Sequence, residues 1–242
     1  MVTLLYHARS VGYVCQRVAA ASEGKVEARC DKQPLPPHLE AVVRWDSRVD
    51  AHAGTTVNTA AAVRLSRNKK ESRVKLEGLC PTTWFKIEDL QYPCIIRPKR
   101  HFGARKFFIV SNYVEARTAT KVCRKNWYAS PIIPKEKEYR VFVFCGKVIK
   151  VVRRFHEDPT QLAWNIANGG KSVRIRKENW PEEVTKVAVT AGQRLDLGWY
   201  AVDVIVDAAG KPYVLELNTA PGLDREKTIE NFSKMFGGIL DA

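Results

Sequence analysis

Residues 200–223 read YAVDVIVDAAGKPYVLELNTAPGL, and this stretch decides how the rest of the chain is interpreted. Two apolar runs rich in β-branched residues, 201–206 and 213–217, flank the turn-forming cluster DAAGK at 207–211. Apolar runs of this length around a cluster with Asp and Gly are typical of a β-hairpin. We therefore predict a hairpin here, followed by a Thr-Ala-Pro-Gly loop at 219–222.

The predicted hairpin carries acidic and amide side chains on one face. A turn centred on residues 209 and 210 places Asp203 directly opposite Glu216, and strand alternation adds Asn218 to the same face. Two carboxylates directly opposite each other repel, and a hard cation such as Mg²⁺ is the usual compensation. The alternative is a solvated face on which sheet twist separates the carboxylates. The amide and the Gly/Pro loop favour a metal site formed by Asp203, Glu216 and Asn218.

The composition predicts a globular protein with a positive surface. The chain has 242 residues, of which 45% are hydrophobic, and a net charge of +14. It contains neither an apolar run long enough for a membrane span nor a signal-peptide pattern at its start, so we expect a cytoplasmic protein. The six cysteines lack metal-ligand spacing and are interpreted as reduced thiols. The charge fits a polyanionic partner such as nucleic acid, or a cluster of Lys and Arg that holds phosphates and acidic substrates.

A second hairpin is predicted over residues 138–154, EYRVFVFCGKVIKVVRR. A turn centred on Cys145 and Gly146 places Glu138 opposite Arg153 and puts Arg140 on the same face. One interpretation is a cross-strand salt bridge, worth roughly 0.2–1 kcal/mol. The other is a ligand site. The alternation of side chains is compatible with both.

The first 80 residues alternate between strand and helix patterns, which predicts a small α/β lobe. Asn58 is a predicted helix N-cap. The region contains neither GxGxxG nor a Walker P-loop. The strand patterns cover residues 3–6 and 40–45, and the helix patterns cover residues 13–21, 58–65 and 66–76.

The hairpin string VDVIVDAAGKPYVLELNTAPGL resembles the last metal-binding hairpin of the ATP-grasp superfamily. Within that superfamily the chain is most similar to carboxylate–amine ligases, including ribosomal-protein glutamate ligases and a related group often found in phage genomes. The likeness extends over residues 92–223. It implies an α+β ATP-grasp fold over residues 81–242, with the nucleotide held between two α+β lobes. A small α/β N-terminal lobe over residues 1–80 precedes it.

The resemblance also implies a set of phosphate ligands. In the family, a lysine that follows an asparagine in the helix before the linker lies near the phosphates, and Lys69 stands at that position. Its alternative is a solvated basic helix face. Arg97 stands where many members carry a phosphate-binding lysine. The family's Gly-rich flap is replaced here by the loop 99–105, in which Lys99 and Arg105 supply side-chain contacts in place of backbone N–H groups.

Further family positions lie around the second hairpin. Residues 127–134 stand where the family's hinge pairs its backbone with the adenine edge. The residues assigned to this contact are Ser130, Ile132 and Ile133. The resemblance implies that Glu138 and Arg140 reach the ribose and the substrate or phosphate. It also implies that Arg153 or Arg154 binds the transferred phosphoryl group.

The substrate positions resemble the family least. The segment WNIANGG at 164–170 is similar to an asparagine-containing loop of the ribosomal-protein ligases. In those ligases an arginine precedes the asparagine by two positions, whereas this chain has Ala163. Asn165, Asn168 and Thr219 are the predicted substrate contacts. The missing arginine leaves the specificity for an acidic substrate open.

These motifs together predict an ATP-dependent, ADP-forming ligase that makes an amide or peptide bond through an acyl phosphate, with Mg²⁺ or Mn²⁺. The predicted partners are a small-molecule or peptide carboxylate and an amine. An acidic protein or RNA is a further predicted partner, docked on residues 171–177. One alternative is a kinase on the same scaffold. Another is a basic nucleic-acid-binding module, although the KxDG motif of strand-joining enzymes is absent.

Overall fold

The computed structural model describes residues 1–7, 9–99, 107–124, 126–158, 161–162, 164, 169–223 and 226–241. Within these residues the chain forms six α-helices and three β-sheets. The helices are α1 (Arg9–Ala20), α2 (Ala60–Arg67), α3 (Lys69–Lys75), α4 (Tyr113–Val122), α5 (Glu182–Arg194) and α6 (Glu226–Gly237). The strands are β1 (Val2–Tyr6), β2 (Val26–Cys30), β3 (Leu39–Trp45), β4 (Ala53–Val57), β5 (Cys94–Pro98), β6 (Phe108–Val110), β7 (Trp127–Pro131), β8 (Lys135–Phe144), β9 (Lys147–Phe155), β10 (Lys171–Ile175), β11 (Trp199–Asp207) and β12 (Pro212–Asn218). None of the described helices is long and apolar enough to cross a bilayer.

The N-terminal sheet is parallel, with the strand order β2-β1-β3-β4. Its centre consists of β1 and β3, which are apolar and buried along most of their length, as their sequences predict. The sequence patterns do not reveal β2 and β4, because VEARC and AGTTV mix charged, small and polar residues. Parallel strands bring their carboxyl ends to one edge of the sheet. The residues that follow β1, β2 and β3 therefore meet at that edge.

Asn58 joins the N-terminal sheet to the largest sheet. It follows β4 in a left-handed conformation (φ 64°) and is buried. Its Oδ1 accepts the N–H groups of Gly198 and Trp199 at 2.9 Å each, and its Nδ2 donates to the Trp199 carbonyl at 2.6 Å. The prediction that Asn58 caps a helix is therefore wrong. Thr59 caps α2 instead, by accepting the N–H of Ala62.

The small middle sheet is antiparallel, with the order β6-β5-β7, and α4 packs on it. The sequence around α4 gives no clear helix pattern, because Val114 and Val122 are 73% and 64% exposed while Ala116 and Ala119 make the buried contacts. Small residues bury little apolar surface, so the helical stripe is faint. The middle sheet therefore has a core of its own, beside the largest sheet.

The largest sheet is antiparallel, with the order β10-β9-β8-β11-β12. Strand β11, which lies between β8 and β12, is buried from Trp199 to Val206. One face packs against the apolar stripe of α5. The other face packs Phe142, Trp199 and Ala201 against α6 and the N-terminal sheet. Strand alternation puts Arg140 and Asp203 on this second face.

The β11–β12 hairpin pairs its two carboxylates as predicted, but its turn and the register beside the turn differ from the prediction. Asp203 lies opposite Glu216, as predicted. The turn is centred on Ala209 and not between residues 209 and 210, because Val206 pairs with Pro212 and not with Tyr213. A bulge at residue 215 then restores the register. A β-bulge inserts one unpaired residue into a strand and is a specific feature of a sheet, not a defect.

The β8–β9 hairpin shows the opposite outcome. A bulge after Phe142 shifts the ladder by one residue, so Glu138 lies opposite Arg154 and not opposite Arg153. The face that we predicted for Glu138 and Arg153 is therefore wrong. Arg153 is exposed on the other face of the sheet, whereas Arg154 is buried beside Glu138.

Candidate active site

A row of alternating charges crosses three strands of the largest sheet. Asp203 of β11 lies opposite Arg140 of β8, whose Nε and Nη2 donate to its two oxygens at 2.7 Å each. Arg154 of β9 places Nη1 3.2 Å from Asp203 Oδ2 and 3.1 Å from Glu138 Oε1. Bidentate guanidinium–carboxylate pairs fix geometry as well as charge. The row therefore holds its side chains in one arrangement on one face.

Burial and charge oppose each other at Asp203. Burial alone would raise the pKa of this carboxyl, but the Arg140 and Arg154 guanidinium groups outweigh that effect and lower the pKa. Burial likewise opposes the charged form of Arg140, yet Asp203 outweighs it and raises the pKa of the guanidinium. Both groups stay ionised near neutral pH. Buried ion pairs contribute little net stability compared with apolar residues of the same volume, so this row points to function.

A second cluster adjoins the row at Glu138. The buried Lys135 ammonium pairs with Glu138 and lies 4.1 Å from the centre of the Trp164 ring. Burial lowers the pKa of Lys135, and the charges of Arg154 and Arg97 act in the same direction, although Glu138 opposes them. Sequence patterns do not single out Lys135, since only the fold brings it near Arg97 and Arg154. The available signal was its place directly after the predicted hinge.

Asp203, Glu216 and Asn218 lie together on the β11–β12 hairpin, as predicted for metal ligands. Asn218 Oδ1 accepts the N–H of Ala220 at 2.9 Å, which fixes the amide at the end of β12. No group of three His, Cys, Asp or Glu side chains suited to a metal occurs among the described residues. Two carboxylates and one amide on one face nevertheless form an all-oxygen donor set, which fits a hard divalent cation.

Lys69 reaches this hairpin from the N-terminal part of the chain. Its Nζ lies 3.1 Å from Glu216 Oε2, in a pair whose side chains are 15% and 37% exposed. Asn68 breaks the helix predicted over residues 66–76 into two, because it ends α2 and its side chain accepts the N–H of Glu71 to start α3. The break directs Lys69, the predicted phosphate ligand, toward β12.

Arg97 and Lys99 approach the row from the small middle sheet. The Nε of Arg97 is buried without a hydrogen-bond partner among the described residues, and the guanidinium lies 5.9 Å from the centre of the Phe107 ring. An orphan buried donor of this kind calls for an acceptor. Lys99 is half-buried, and its backbone N–H donates to the Asn126 carbonyl at 2.8 Å. Arg105 lies outside the described residues.

The remaining predicted contacts fall into three groups. Ser130 is buried in β7, and Ile132 and Ile133 follow it in the link between the middle and largest sheets. Thr219 is buried directly after β12. Asn165 and Asn168 lie outside the described residues. The cations of the charged row can hold a polyanion.

Comparison with known proteins identifies the architecture. A family model described as the RimK-like ATP-grasp domain matches residues 84–235. The chain is similar to a probable alpha-L-glutamate ligase of Legionella pneumophila, with 28% identity over 94% of this chain and 82% of the relative. It is also similar to a D-alanine–D-alanine ligase of Clostridium botulinum, with 26% identity over 76% of this chain and 62% of that protein.

Solved structures with low sequence identity share the fold. The D-alanine–D-alanine ligase from Bacillus anthracis superposes with a TM-score of 0.66 at 16% identity, covering 99% of this chain and 94% of that one. The ATP-grasp ligase PsnB, complexed with its minimal precursor, Mg and ADP, superposes with a TM-score of 0.68 at 15% identity, covering 98% and 97%. The predicted fold class is therefore confirmed.

Proposed function

This chain belongs to the RimK-like ATP-grasp family, so it is an ATP-dependent carbon–nitrogen ligase, and we propose that it activates a carboxylate as an acyl phosphate before an amine displaces the phosphate. The observation that carries this proposal is the charged row, in which Arg140 and Arg154 flank Asp203 on one sheet face. Phosphoryl transfer depends mainly on positioning and on charge neutralisation. The row supplies both.

The cations divide into two sets around the proposed nucleotide. Arg97 of β5 and Lys69 of α3 would hold phosphate oxygens, together with Lys99 and Arg105, which stand near Arg97 in the sequence. Arg140 and Arg154 would hold the oxygens of the group that is transferred. The orphan donor of Arg97 supports its assignment, because a phosphate oxygen is the acceptor that it lacks.

The metal assignment uses the oxygen donors of the β11–β12 hairpin. Asp203, Glu216 and Asn218 would hold Mg²⁺, and Mn²⁺ accepts the same kind of ligand. When bound, the cation supplies neutralisation of negative charge on the phosphate oxygens. Arg140, Arg154 and Lys69 balance the carboxylates from the rim of the same face.

The adenine base and the substrates would bind to segments that surround the charged row. The backbone of Ser130, Ile132 and Ile133 would pair with the adenine edge, and Glu138 would reach the ribose. Asn165, Asn168 and Thr219 would contact the substrates. The named relatives join glutamate or D-alanine, so we infer that an amino acid or a peptide is the first substrate class to test. A cytoplasmic location stays a prediction from the sequence.

The test combines nucleotide binding with turnover. A ligand at about a hundred times its dissociation constant adds roughly 2.7 kcal/mol of stability, so ATP and ADP with Mg²⁺ should raise the melting temperature. ADP release should then require both a carboxylate and an amine. A stable phosphorylated product without an amine requirement would select the kinase alternative, and no nucleotide effect at all would contradict the site assignment.

The edge strand β10 supports the predicted acidic partner. Lys171 and Arg174 are exposed on this edge, and Arg176 and Lys177 follow the strand. An acidic protein or RNA bound there should dissociate steeply as salt rises, with or without ATP. Changing Lys171 and Arg174 to Gln should weaken that binding and leave the thermal shift by ATP unchanged.

A further inference from the structure

The proposed ligation requires a proton acceptor that the charged row does not supply. An amine is largely protonated at pH 7, and only the neutral amine can attack an acyl phosphate. The carboxylates Asp203, Glu138 and Glu216 each pair with a cation, so their oxygens are already engaged. The carboxyl edge of the N-terminal sheet offers a better candidate.

Three polar side chains meet at that edge. His7, Asp31 and Ser47 follow β1, β2 and β3, and His7 Nδ1 lies 3.1 and 3.2 Å from the two Asp31 oxygens. Ser47 Oγ donates to Asp31 Oδ2 at 2.7 Å. The Asp31 side chain is 1% exposed, whereas that of His7 is 34% exposed. A buried carboxylate therefore orients a partly exposed histidine ring.

The partners of His7 determine which ring nitrogen carries the proton. A carboxylate only accepts, so Nδ1 carries a hydrogen and donates it to Asp31. The guanidinium of Arg48 only donates, and its Nη2 lies 3.1 Å from His7 Nε2, so Nε2 presents its lone pair. This neutral tautomer, oriented by an aspartate, is the form in which histidine acts as a general base.

The other described histidines lack this arrangement. His156 Nδ1 contacts the backbone N–H and carbonyl of Asp158 at 3.0 and 3.2 Å, with no carboxylate among the partners shown for its ring. His38 and His52 contact each other just before β3 and β4, at the opposite edge of the sheet. His101 lies outside the described residues. Among the histidines that the structure describes, only His7 presents a lone pair at the carboxyl edge.

One short segment, residues 67–69, contacts both the carboxyl edge of the N-terminal sheet and the β11–β12 hairpin. Asp46, whose backbone bridges to the residue before His7, is paired with Arg67. Lys69 contacts Glu216 only two residues later, and two residues span at most about 7 Å. The edge and the hairpin thus flank one short segment. Strands β2 and β3 also lie on opposite sides of β1, and crevices at such switch points are where open α/β sheets bind ligands.

We propose that His7 is the general base of the ligation and that Asp31 positions it, an inference that rests on the ligase function proposed above. The ammonium group of the amine substrate takes the place of Arg48 at His7 Nε2 and gives one proton to that nitrogen, and the neutral amine then bonds to the acyl carbon. The bond from that carbon to the phosphate oxygen breaks, and phosphate leaves with the electron pair and takes up the second proton that the attacking nitrogen loses. Asp31 stabilises the resulting imidazolium, which later loses its proton to water.

The experiment separates carboxylate activation from attack by the amine. L-glutamate and D-alanine serve as carboxylate probes, first with hydroxylamine and then as their own amine partners, and ADP release is measured. Hydroxylamine is uncharged at pH 7 and needs no base. His7→Gln should lower the amine reaction by about 10²–10⁴-fold, while the hydroxylamine reaction falls by less than about threefold. Raising the pH toward 10 should restore much of the amine reaction, because the amine then deprotonates unaided.

Two further variants complete the test: one changes the partner of His7, and the other is a control. Asp31→Asn can donate to Nδ1 and so reverse the tautomer, and it should reproduce the pattern of His7→Gln. His38→Gln, at the opposite edge, should leave both reactions at the wild-type rate. An equal fall of both reactions in His7→Gln and Asp31→Asn, or an unchanged amine reaction, would overturn the assignment. No ADP release from the wild type with hydroxylamine and either probe would instead contradict the ligase activity on these carboxylates, and the base assignment would fall with it.

Discussion

The two hairpins of the largest sheet carry their charges in different ways. In β8–β9 a carboxylate faces a guanidinium, since Glu138 lies opposite Arg154. In β11–β12 two carboxylates face each other, since Asp203 lies opposite Glu216. The first hairpin balances its own charge across the ladder. The second depends on Arg140 from β8 and Lys69 from α3. A pair that needs charge from elsewhere is suited to a bound cation and phosphates.

The largest effect is expected from the Asp203→Asn substitution. The change leaves Arg140 and Arg154 buried without their shared carboxylate, and breaking a buried pair typically costs about 3–5 kcal/mol. ADP release should fall by more than about 10²-fold. Urea unfolding and ADP release measure the two effects. Glu230→Gln, a substitution of an exposed residue on α6, is the control. A wild-type rate of ADP release in Asp203→Asn would contradict a role for this carboxylate in the reaction.

The next change tests the bulge in β8–β9. Arg154→Ala removes two carboxylate contacts and should cost about 3 kcal/mol, with a large loss of ADP release. Arg153→Ala, one residue away on the exposed face, should change stability by less than about 0.5 kcal/mol. The two variants are matched in chemistry and differ in face. Equal effects would contradict the register described here.

A third prediction concerns acid. A carboxyl whose pKa is lowered in the folded state contributes stability above its unfolded pKa of about 3.9, and this contribution is lost as the pH falls through the lowered value. Asp203 is such a group. In the presence of a chelator, the stability gap between wild type and Asp203→Asn should narrow by about 1–2 kcal/mol between pH 6 and pH 3. A gap that widens on acidification would give the opposite sign.

The smallest stability effect is expected at the partly exposed end of the β11–β12 pair. Lys69→Met breaks a contact whose Glu216 side is 37% exposed, and exposed pairs contribute about 0–1 kcal/mol. Nucleotide affinity should still weaken several-fold, measured as the ATP concentration needed for half the thermal shift. Lys70→Met, on the neighbouring residue, is the control. Unchanged affinity in Lys69→Met would limit this lysine to a structural role.

Local pattern was enough to predict the β11–β12 hairpin and the pairing of Asp203 with Glu216. It was not enough for β8–β9, because VVRR offers two adjacent arginines and a bulge decides which one is buried. Nothing in a short window announces that bulge. The electrostatic effect of Arg97 on Lys135 and the contact of His7 with Asp31 connect distant segments. Only the folded sheets bring them together, so the sequence alone could not predict them.

The contacts of Asn58 connect the N-terminal lobe to β11 and so affect whether the two parts of the chain can be separated. Its side chain occupies both the donors and the acceptor at the start of β11, and the Trp45 ring centre lies 5.1 Å from that of Trp199 in the shared core. A truncated protein that begins at residue 81 would leave two strand N–H groups unmet and uncover the Trp199 indole. The ligase half is therefore not a portable module. Expression of residues 81–242 alone should give aggregated material, and grafting them onto another N-terminal lobe would require an equivalent of Asn58.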